Sequence, residues 1–407
     1  MTSIMCGASP YGGVALTTDS ASGDAFGRFR VSEPTTLFAS SCVYDTQALL
    51  WENVVASGGG AAHDADTSTV ALTVDESGDS IVRQSKQWMI YRPGKSLLVA
   101  ITFNFNGADT NVEKEVGYGD GNDGIALVAS GSSVSLVLRS TSGDTTVAQT
   151  SWNVDKFDGT GPSKKKIDWT KSQILLMDFQ WLGVGRVRVG FDIDGVFYIA
   201  HQFLNANNIS TTYMRSASLP LRYRIEATGE IAATSTLTQI CCMAASEGGF
   251  EPALGIPRSA SNGITTIGVT TRRPILSVRP KLTFNSIGNR ALIVPVSVDL
   301  TASTNTSYWE LVYNGALTNA SFASVGTNSF CERDVAATAI TGGEVIASGY
   351  VLSGSGSSRG INSSSLTMRL PLTVSVDEST STPLTLVCTS FTGTSNVSGT
   401  INWEEYT

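Results

Sequence analysis

Histidine is nearly missing from this sequence: there are two among 407 residues, His63 and His201. That scarcity removes most triad, general-base and zinc chemistry, which needs an imidazole within reach of a partner or a ligand set. Charge is scarce as well. Asp, Glu, Lys and Arg make up 15% of the chain, against about 25% in an ordinary soluble protein. A cationic surplus is absent, since 27 Lys and Arg face 35 Asp and Glu for a net charge of −8. Phosphate backbones demand clustered Lys and Arg, so nucleic acid is not an expected partner. The basic run Lys164-Lys165-Lys166 reads as a solvated loop. No apolar run approaches the ~20 residues of a membrane span, so membrane insertion is not expected. The opening "MTSIMCGASPYGG" lacks the basic flank and apolar core of a signal peptide.

Cysteine is sparse for a disulfide framework, and no CxxC pair occurs among Cys6, Cys42, Cys241, Cys242, Cys331 and Cys388. Free, mostly buried thiols are expected, consistent with a reducing cytosol. Cys241 and Cys242 are adjacent, so on a strand they point to opposite faces.

What remains is 41% hydrophobic residues, 40 glycines and abundant Ser and Thr. No amphipathic helix longer than about two turns stands out. Short alternating segments separated by turn residues do, such as "STVALTV", "SLLVAITFNF", "SVSLVLRS" and "LRYRIEAT". The expected fold is all-β: an extended N-terminal arm (1–69), an antiparallel β-sandwich or jelly-roll, lectin-like domain (70–247), a linker (248–274), and a second β-sandwich (275–407). Pro295 within "LIVPVSV" points to an edge strand or a bulge. "GSGSSRGINSSS" (354–365) reads as a loop tip.

The clearest hairpin is "RVRVGFDIDGVFYIAHQF", Arg186 to Phe203. Asp194-Gly195 forms its two-residue turn. The register then pairs Ile193 with Val196, Phe191 with Tyr198 and Val189 with Ala200 on one face. Asp192 with Phe197, Gly190 with Ile199 and Arg188 with His201 share the other. An arginine opposite His201 would disfavour its proton. Asp192 and Asp194 are expected to balance Arg186 and Arg188. General-base work needs an orienting partner and a nucleophile, so His201 reads as a packing residue.

Other constellations carry little chemistry. Gly356-Ser357-Ser358-Arg359-Gly360 fits G-x-S-x-G, but no histidine follows His201 in the chain. His63-Asp64-Ala65-Asp66 lies in a Gly/Ala stretch and reads as a polar loop. "GYGDGNDGIAL" offers Asp120, Asn122 and Asp123, yet Gly124 and a missing closing glutamate spoil a calcium loop. It reads as a turn, with cation binding left open. Glu113 or Glu115 with Asp178 is one conceivable pair of carboxylates for glycoside hydrolysis, though nothing in the sequence singles it out. The tryptophans, Trp51, Trp88, Trp152, Trp169, Trp181, Trp309 and Trp403, are expected in cores and interfaces more than on a sugar-stacking platform. No catalytic, cofactor-binding or metal-ligating residue is assigned, and no cofactor is expected.

Five stretches carry a resemblance: "DAFGRFRVSEPTTLFASSCVYDTQALLWEN" (24–53), "RQSKQWMIYRPGKS" (83–96), "YIAHQFLNANN" (198–208), "LPLRYRIEATG" (219–229) and "AATAITGGEVIASGYVL" (336–352). Together they resemble a group of structural proteins of tailed bacteriophages, notably of aquatic phages. The resemblance implies a multicopy virion component exposed on the particle, as head decoration, head fibre or tail-associated subunit, assembled in the host cytoplasm. It carries over no site residues. The physical reading is compatible: a coreless arm and large apolar groups on outer strand faces suit a homo-oligomer, with a trimer expected, whose arm contacts other virion proteins. The alternative is a glycan-binding host-recognition adhesin. A polysaccharide depolymerase is the third reading.

Overall fold

The computed structural model describes residues 34–248, 255–353 and 370–407. Residues 1–33 of the expected arm, Cys6 and the G-x-S-x-G match at 356–360 lie outside the described residues. Among the described residues the protein is all-β and antiparallel, with one 3-10 turn at Gln149–Ser151.

The first body begins with β1 (Pro34–Ser41), β2 (Trp51–Ala56), β3 (Gly60–Asp64), β4 (Thr69–Val74) and β5 (Ser80–Ser85). Next come β6 (Ser96–Asn104), β7 (Val112–Gly119), β8 (Gly124–Ser130), β9 (Ser133–Arg139) and β10 (Thr145–Ala148). β11 (Gln173–Phe179), β12 (Val187–Ile193), β13 (Val196–Phe203), β14 (Leu221–Ala227) and β15 (Ser235–Glu247) complete it. One sheet runs β13-β12-β11-β6-β15-β4-β3, with β1 also on β15. The facing sheet runs β10-β9-β8-β7-β14-β5-β2. Strand alternation explains the pairing of the layers. Leu97, Val99, Ile101 and Phe103 of β6 point inward, as do Val116 and Tyr118 of β7 and Tyr223 and Ile225 of β14. Each such side chain contributes about 1.5–3 kcal/mol when fully buried.

Residues 34–64, expected in the arm, belong to this sandwich. Phe38 and Trp51 lie in its core, and β2 pairs along β5 from Trp51↔Ser85 to Ala56↔Ser80. The wholly buried Arg83 fixes this region. It donates to Gln239 Oε1, to the Thr46 carbonyl, and to Asn53 Oδ1 at 3.0 Å. Its guanidinium sits 5.0 Å from the Trp51 ring centre. "GAAHD" hid a strand because its small side chains give no apolar alternation. His63 donates from Nε2 to the Cys42 carbonyl at 2.7 Å, so this segment is an ordered ladder strand and not a loop.

The second body contains β16 (Ile256–Ser261), β17 (Ile267–Val269), β18 (Arg273–Pro280), β19 (Thr283–Phe284), β20 (Ile287–Gly288), β21 (Leu292–Ala302) and β22 (Ser307–Tyr313). It continues with β23 (Ala316–Thr318), β24 (Ala323–Ser324), β25 (Cys331–Asp334), β26 (Ala339–Thr341), β27 (Glu344–Val351), β28 (Leu384–Ser390) and β29 (Ser395–Tyr406). A six-stranded sheet, β24-β25-β18-β28-β22-β27, faces a four-stranded one in which β29 pairs with β16, β17 and β21. The expected linker therefore supplies two strands. β16 and β17 are held by backbone pairing to β29 and bury little beyond Ala260 and Val269, so their pattern gave no signal. Pro295 marks a bulge: in the pairing of β21 with β29 the register shifts between Pro295 and Ser297.

Candidate functional site

The outer face of the seven-stranded sheet is the most polar constellation. On β7, Val112, Val116 and Tyr118 point into the core, so Glu113, Glu115 and Gly117 point out. On β14, Tyr223 and Ile225 point in, leaving Arg222, Arg224 and Glu226 outside. Arg224 lies opposite Glu115, and Glu226 opposite Glu113. Arg224 Nη1 reaches Glu113 Oε1 at 2.5 Å, and Nη2 pairs with Glu226. Arg139, from the end of β9, donates to Glu115 Oε2 at 2.6 Å, and Arg222 Nε stands 3.7 Å from Glu115 Oε1. Three carboxylates and three guanidiniums thus close on each other. Beside them Ala126, Val128 and Val137 form a small apolar cluster.

This face continues into a crevice between the two sandwiches. Arg222 Nη1 donates to Gln84 Oε1 at 2.9 Å and contacts the Asp120 carbonyl at 3.5 Å. Asp120 Oδ1 accepts the N–H groups of Asn122 and Asp123, each at 2.9 Å, which folds the turn between β7 and β8. Arg290, from the segment before β21, ion-pairs with Asp120 and lies 4.9 Å over the Trp88 ring. Opposite, Asp377 Oδ1 accepts from the Ser375 hydroxyl at 2.6 Å and Oδ2 from the Ser379 hydroxyl at 2.7 Å. These hydroxyls hold the Asp377 carboxyl down at about 2. The Val376 N–H donates to Glu52 Oε2 at 3.2 Å, joining β2 to the second body. The space between them, open to solvent, is about 200 Å³ and is bounded by Gln84, Trp88, Asp120, Asn122, Asn289, Arg290 and residues 374–378. Ile90, Leu292 and Tyr406 form a small apolar seal between the same two bodies.

The sequence candidates fall in separate places. Asp120 and Asp123 are approached by guanidiniums: Arg290 reaches both, and Arg215 Nε lies 3.5 Å from Asp123. Arginine thus takes the ground a cation would occupy. Among the described residues no cluster of three or more His, Cys, Asp or Glu side chains is placed to hold a metal ion. Glu113 and Glu115 do share a face, but Asp178 lies on the outer face of the other sheet, paired with Arg188. Packed sheets stand about 10 Å apart, so these acids do not converge.

The hairpin register is as expected from Ile193↔Val196 through Gly190↔Ile199, and Asp194 and Gly195 both take positive φ (58° and 79°). It then shifts. Ala200 bulges, so Val189 faces His201 and Arg188 faces Gln202, not His201. The bulge has a local cause, because the Ala200 carbonyl accepts the N–H groups of Val154 (3.1 Å) and Asp155 (3.0 Å). His201 Nδ1 accepts the Asn153 N–H at 3.2 Å, and burial lowers its pKa. Arginine is not the cause. Asp194 lies 3.6 Å from Lys165 Nζ, and Asp192 caps the turn at Gly195 N–H, 3.0 Å away.

Among the described residues Cys42, Cys242, Cys331 and Cys388 are buried free thiols and Cys241 is an exposed one, so the adjacent pair does split between faces. None of the seven tryptophans is exposed. The exposed aromatics are elsewhere. Tyr350 (62% exposed) and Phe391 (58%) join Tyr308 in a row with ring centres 5.4 and 5.7 Å apart, beside Leu352 (62%). Tyr350 belongs to β27, which among the described residues is an edge strand of the six-stranded sheet.

No protein-family model matches the sequence, and no curated protein matches it. Solved structures do superpose on part of it. The carbohydrate recognition domain of Emp47p aligns at 11% identity and a TM-score of 0.34, covering 56% of this chain and 100% of that one. A glycosyl hydrolase family protein from Mycobacterium fortuitum aligns at 9% identity and 0.34, covering 52% and 99%. The apo Crh5 transglycosylase aligns at 13% and 0.32, covering 54% and 90%. Likeness of this degree transfers neither a ligand nor a reaction to the chain.

Proposed function

We propose that this chain is a non-enzymatic structural subunit of a bacteriophage particle, present in many copies and exposed on its surface. The observation that carries this reading is the exposed aromatic row at the β27 end of the six-stranded sheet, where Tyr350, Leu352 and Phe391 stand exposed and β27 pairs, among the described residues, with β22 alone. An exposed apolar edge strand is a pairing surface, normally blunted unless another chain covers it. A closed homo-oligomer, a trimer in this reading, covers such edges with sister copies. The phage assignment rests on the sequence resemblance. The absence of enzymatic activity is supported by the pairing of Glu113, Glu115 and Glu226 with arginines. A retaining glycosidase needs one free acid and one nucleophile about 5–5.5 Å apart.

The test is incorporation into particles. The protein should appear in purified virions at many copies, and density for both sandwiches should be found on the particle surface. Removing residues 1–33 should abolish incorporation while leaving the melting temperature unchanged. A cut at 65 would be uninformative, since it deletes Phe38 and Trp51 from the core. Virions that lack the chain entirely would overturn the reading.

A second reading, a glycan-binding adhesin, is favoured by the polar crevice between the sandwiches. It predicts saturable binding to host-surface polysaccharide without release of reducing sugar. Release of reducing sugar would revive the depolymerase reading.

A further inference from the structure

We propose that the outer face of the eight-stranded sheet packs against the same face of a second copy of this chain, a contact separate from the β27 end and independent of the glycan-binding reading. The register lays the outward side chains of six neighbouring strands in parallel rows. The middle row is Ala39, Met243, Ala100, Leu176, Gly190 and Ile199, which crosses β1, β15, β6, β11, β12 and β13 without a polar side chain. Ile174 and Phe197 stand in the row on one side of it, and Leu98 in the row on the other. Gly190 lets the Phe197 ring lie down on the sheet, because a Cβ there would come 2.8 Å from a ring carbon.

An antiparallel sheet with one solvated face alternates between apolar residues inside and polar residues outside. The seven-stranded sheet of the same sandwich obeys that rule, with Glu113, Glu115, Arg222, Arg224 and Glu226 on its outer face. The eight-stranded sheet does not. Its outward row is apolar, Ala39 is exposed and Ile174 is 38% exposed. Contiguous apolar surface on a folded chain marks an interaction site.

Charge and size point to a second copy as the occupant. The chain carries a net charge of −8, so two copies repel where their acidic surfaces meet. On this face the charges are already engaged: Asp178 pairs with Arg188, and Asp192 accepts the Gly195 N–H at 3.0 Å. Two copies can therefore approach here without a like-charge cost. An apolar face is also complementary to itself, as a two-fold contact requires. Sheets stack face to face about 10 Å apart. Six strands spaced about 4.8 Å, with rows about 7 Å apart, cover roughly 600 Å². Two copies together would bury about 1,200 Å², the lower end of the range for specific interfaces.

The experiment uses the full chain carrying Tyr350→Ser and Phe391→Ser, so that the β27 end adds nothing. In sedimentation velocity this chain should still dimerise, and adding Ala39→Glu and Ile174→Glu should weaken the dimer at least about tenfold. Both positions are exposed, so melting temperatures should not move. Cys241 gives a second readout on the unmutated chain, because its exposed thiol lies on this face and donates to Thr102 Oγ1 at 3.4 Å. Its alkylation by N-ethylmaleimide, followed on the peptide that carries it, should slow at least about fivefold as protein rises from roughly 1 to 100 µM. A chain that stays monomeric, a quadruple variant that dimerises as before, or alkylation at one rate at both concentrations each overturns the contact. Slow alkylation at both concentrations that quickens when residues 1–33 are removed would give the face to this chain's own N-terminal segment, and overturns it too. Failure here leaves the virion reading standing, since that is decided by incorporation into particles.

Discussion

On the seven-stranded sheet, Glu113, Glu115 and Glu226 meet Arg139, Arg222 and Arg224 within the chain. At the β27 end of the six-stranded sheet, Tyr308 of β22, Tyr350 of β27 and Phe391 just after β28 meet each other and solvent. The charged face, which looks like a reactive site when read as composition, has paired each of its three carboxylates with an arginine. The aromatic edge, which looks like ordinary strand sequence, leaves Tyr350 and Phe391 open to solvent. The lesson is that reactivity and recognition follow unmet bonding capacity more than polarity. Breaking a closed network should cost stability, and cutting an open edge should cost association.

The largest effect is expected at Glu115. Its carboxylate is buried among three arginines, and its loss leaves Arg139 and Arg222 partly buried without an anion. Glu115→Ala should destabilise the first sandwich by about 3 kcal/mol in urea unfolding. A loss below about 0.5 kcal/mol would mean that the network is solvated and the contrast empty.

Next comes the edge. Tyr350→Ser combined with Phe391→Ser should leave stability within about 0.5 kcal/mol, as surface changes usually do. Self-association in sedimentation velocity should weaken at least tenfold, about 1.4 kcal/mol. Equal association of the double variant and wild type would remove the edge as an interface. Val345→Lys, on the same strand, should act in the same direction with a smaller effect, because an edge lysine discourages strand pairing.

The smallest effect is a pH slope in the first sandwich. Burial holds the His201 imidazole below its usual 6.5. Above that pH the group is neutral in both states. Below it the unfolded chain takes up the proton first, so stability falls as the pH drops through the folded value. His201→Gln should remove this share of the slope between pH 6.5 and 5, read as chemical-denaturation midpoints. An unchanged slope would show that His201 is solvated in the native state.

Much of the architecture was legible locally. Alternation gave β4, β6, β9 and β14, the Asp194-Gly195 turn gave the hairpin, and Pro295 pointed to an edge strand or a bulge, of which the structure has the bulge. The errors share a cause. β1, β16 and β17 are held by backbone pairing to partners far along the chain, and β3, beside its neighbour β4, is built of small and polar residues, so the period-two signal was weak or absent. The Ala200 bulge is set by Val154 and Asp155, which no local pattern could supply. The charged face was half visible. Glu113 and Glu115, and likewise Arg222, Arg224 and Glu226, recur at spacing two, which places each set on one strand face. That β7 lies beside β14, over a hundred residues later, is a fact of topology. The crevice was wholly hidden, because Trp88, Asp120, Arg290 and Asp377 come from four distant segments.

Strand β29 carries a consequence for biosynthesis. It holds β16, β17 and β21 together, and its buried Glu405 accepts from Arg258, Ser329, Phe330 and Trp403. On the ribosome the N-terminal sandwich has all its strands once β15 has emerged. The other must wait, with β21 and β16 unzipped, until residues 395–406 leave the exit tunnel. A nascent chain therefore passes through a stage in which one module can fold while the other, lacking β29, is still an aggregation hazard.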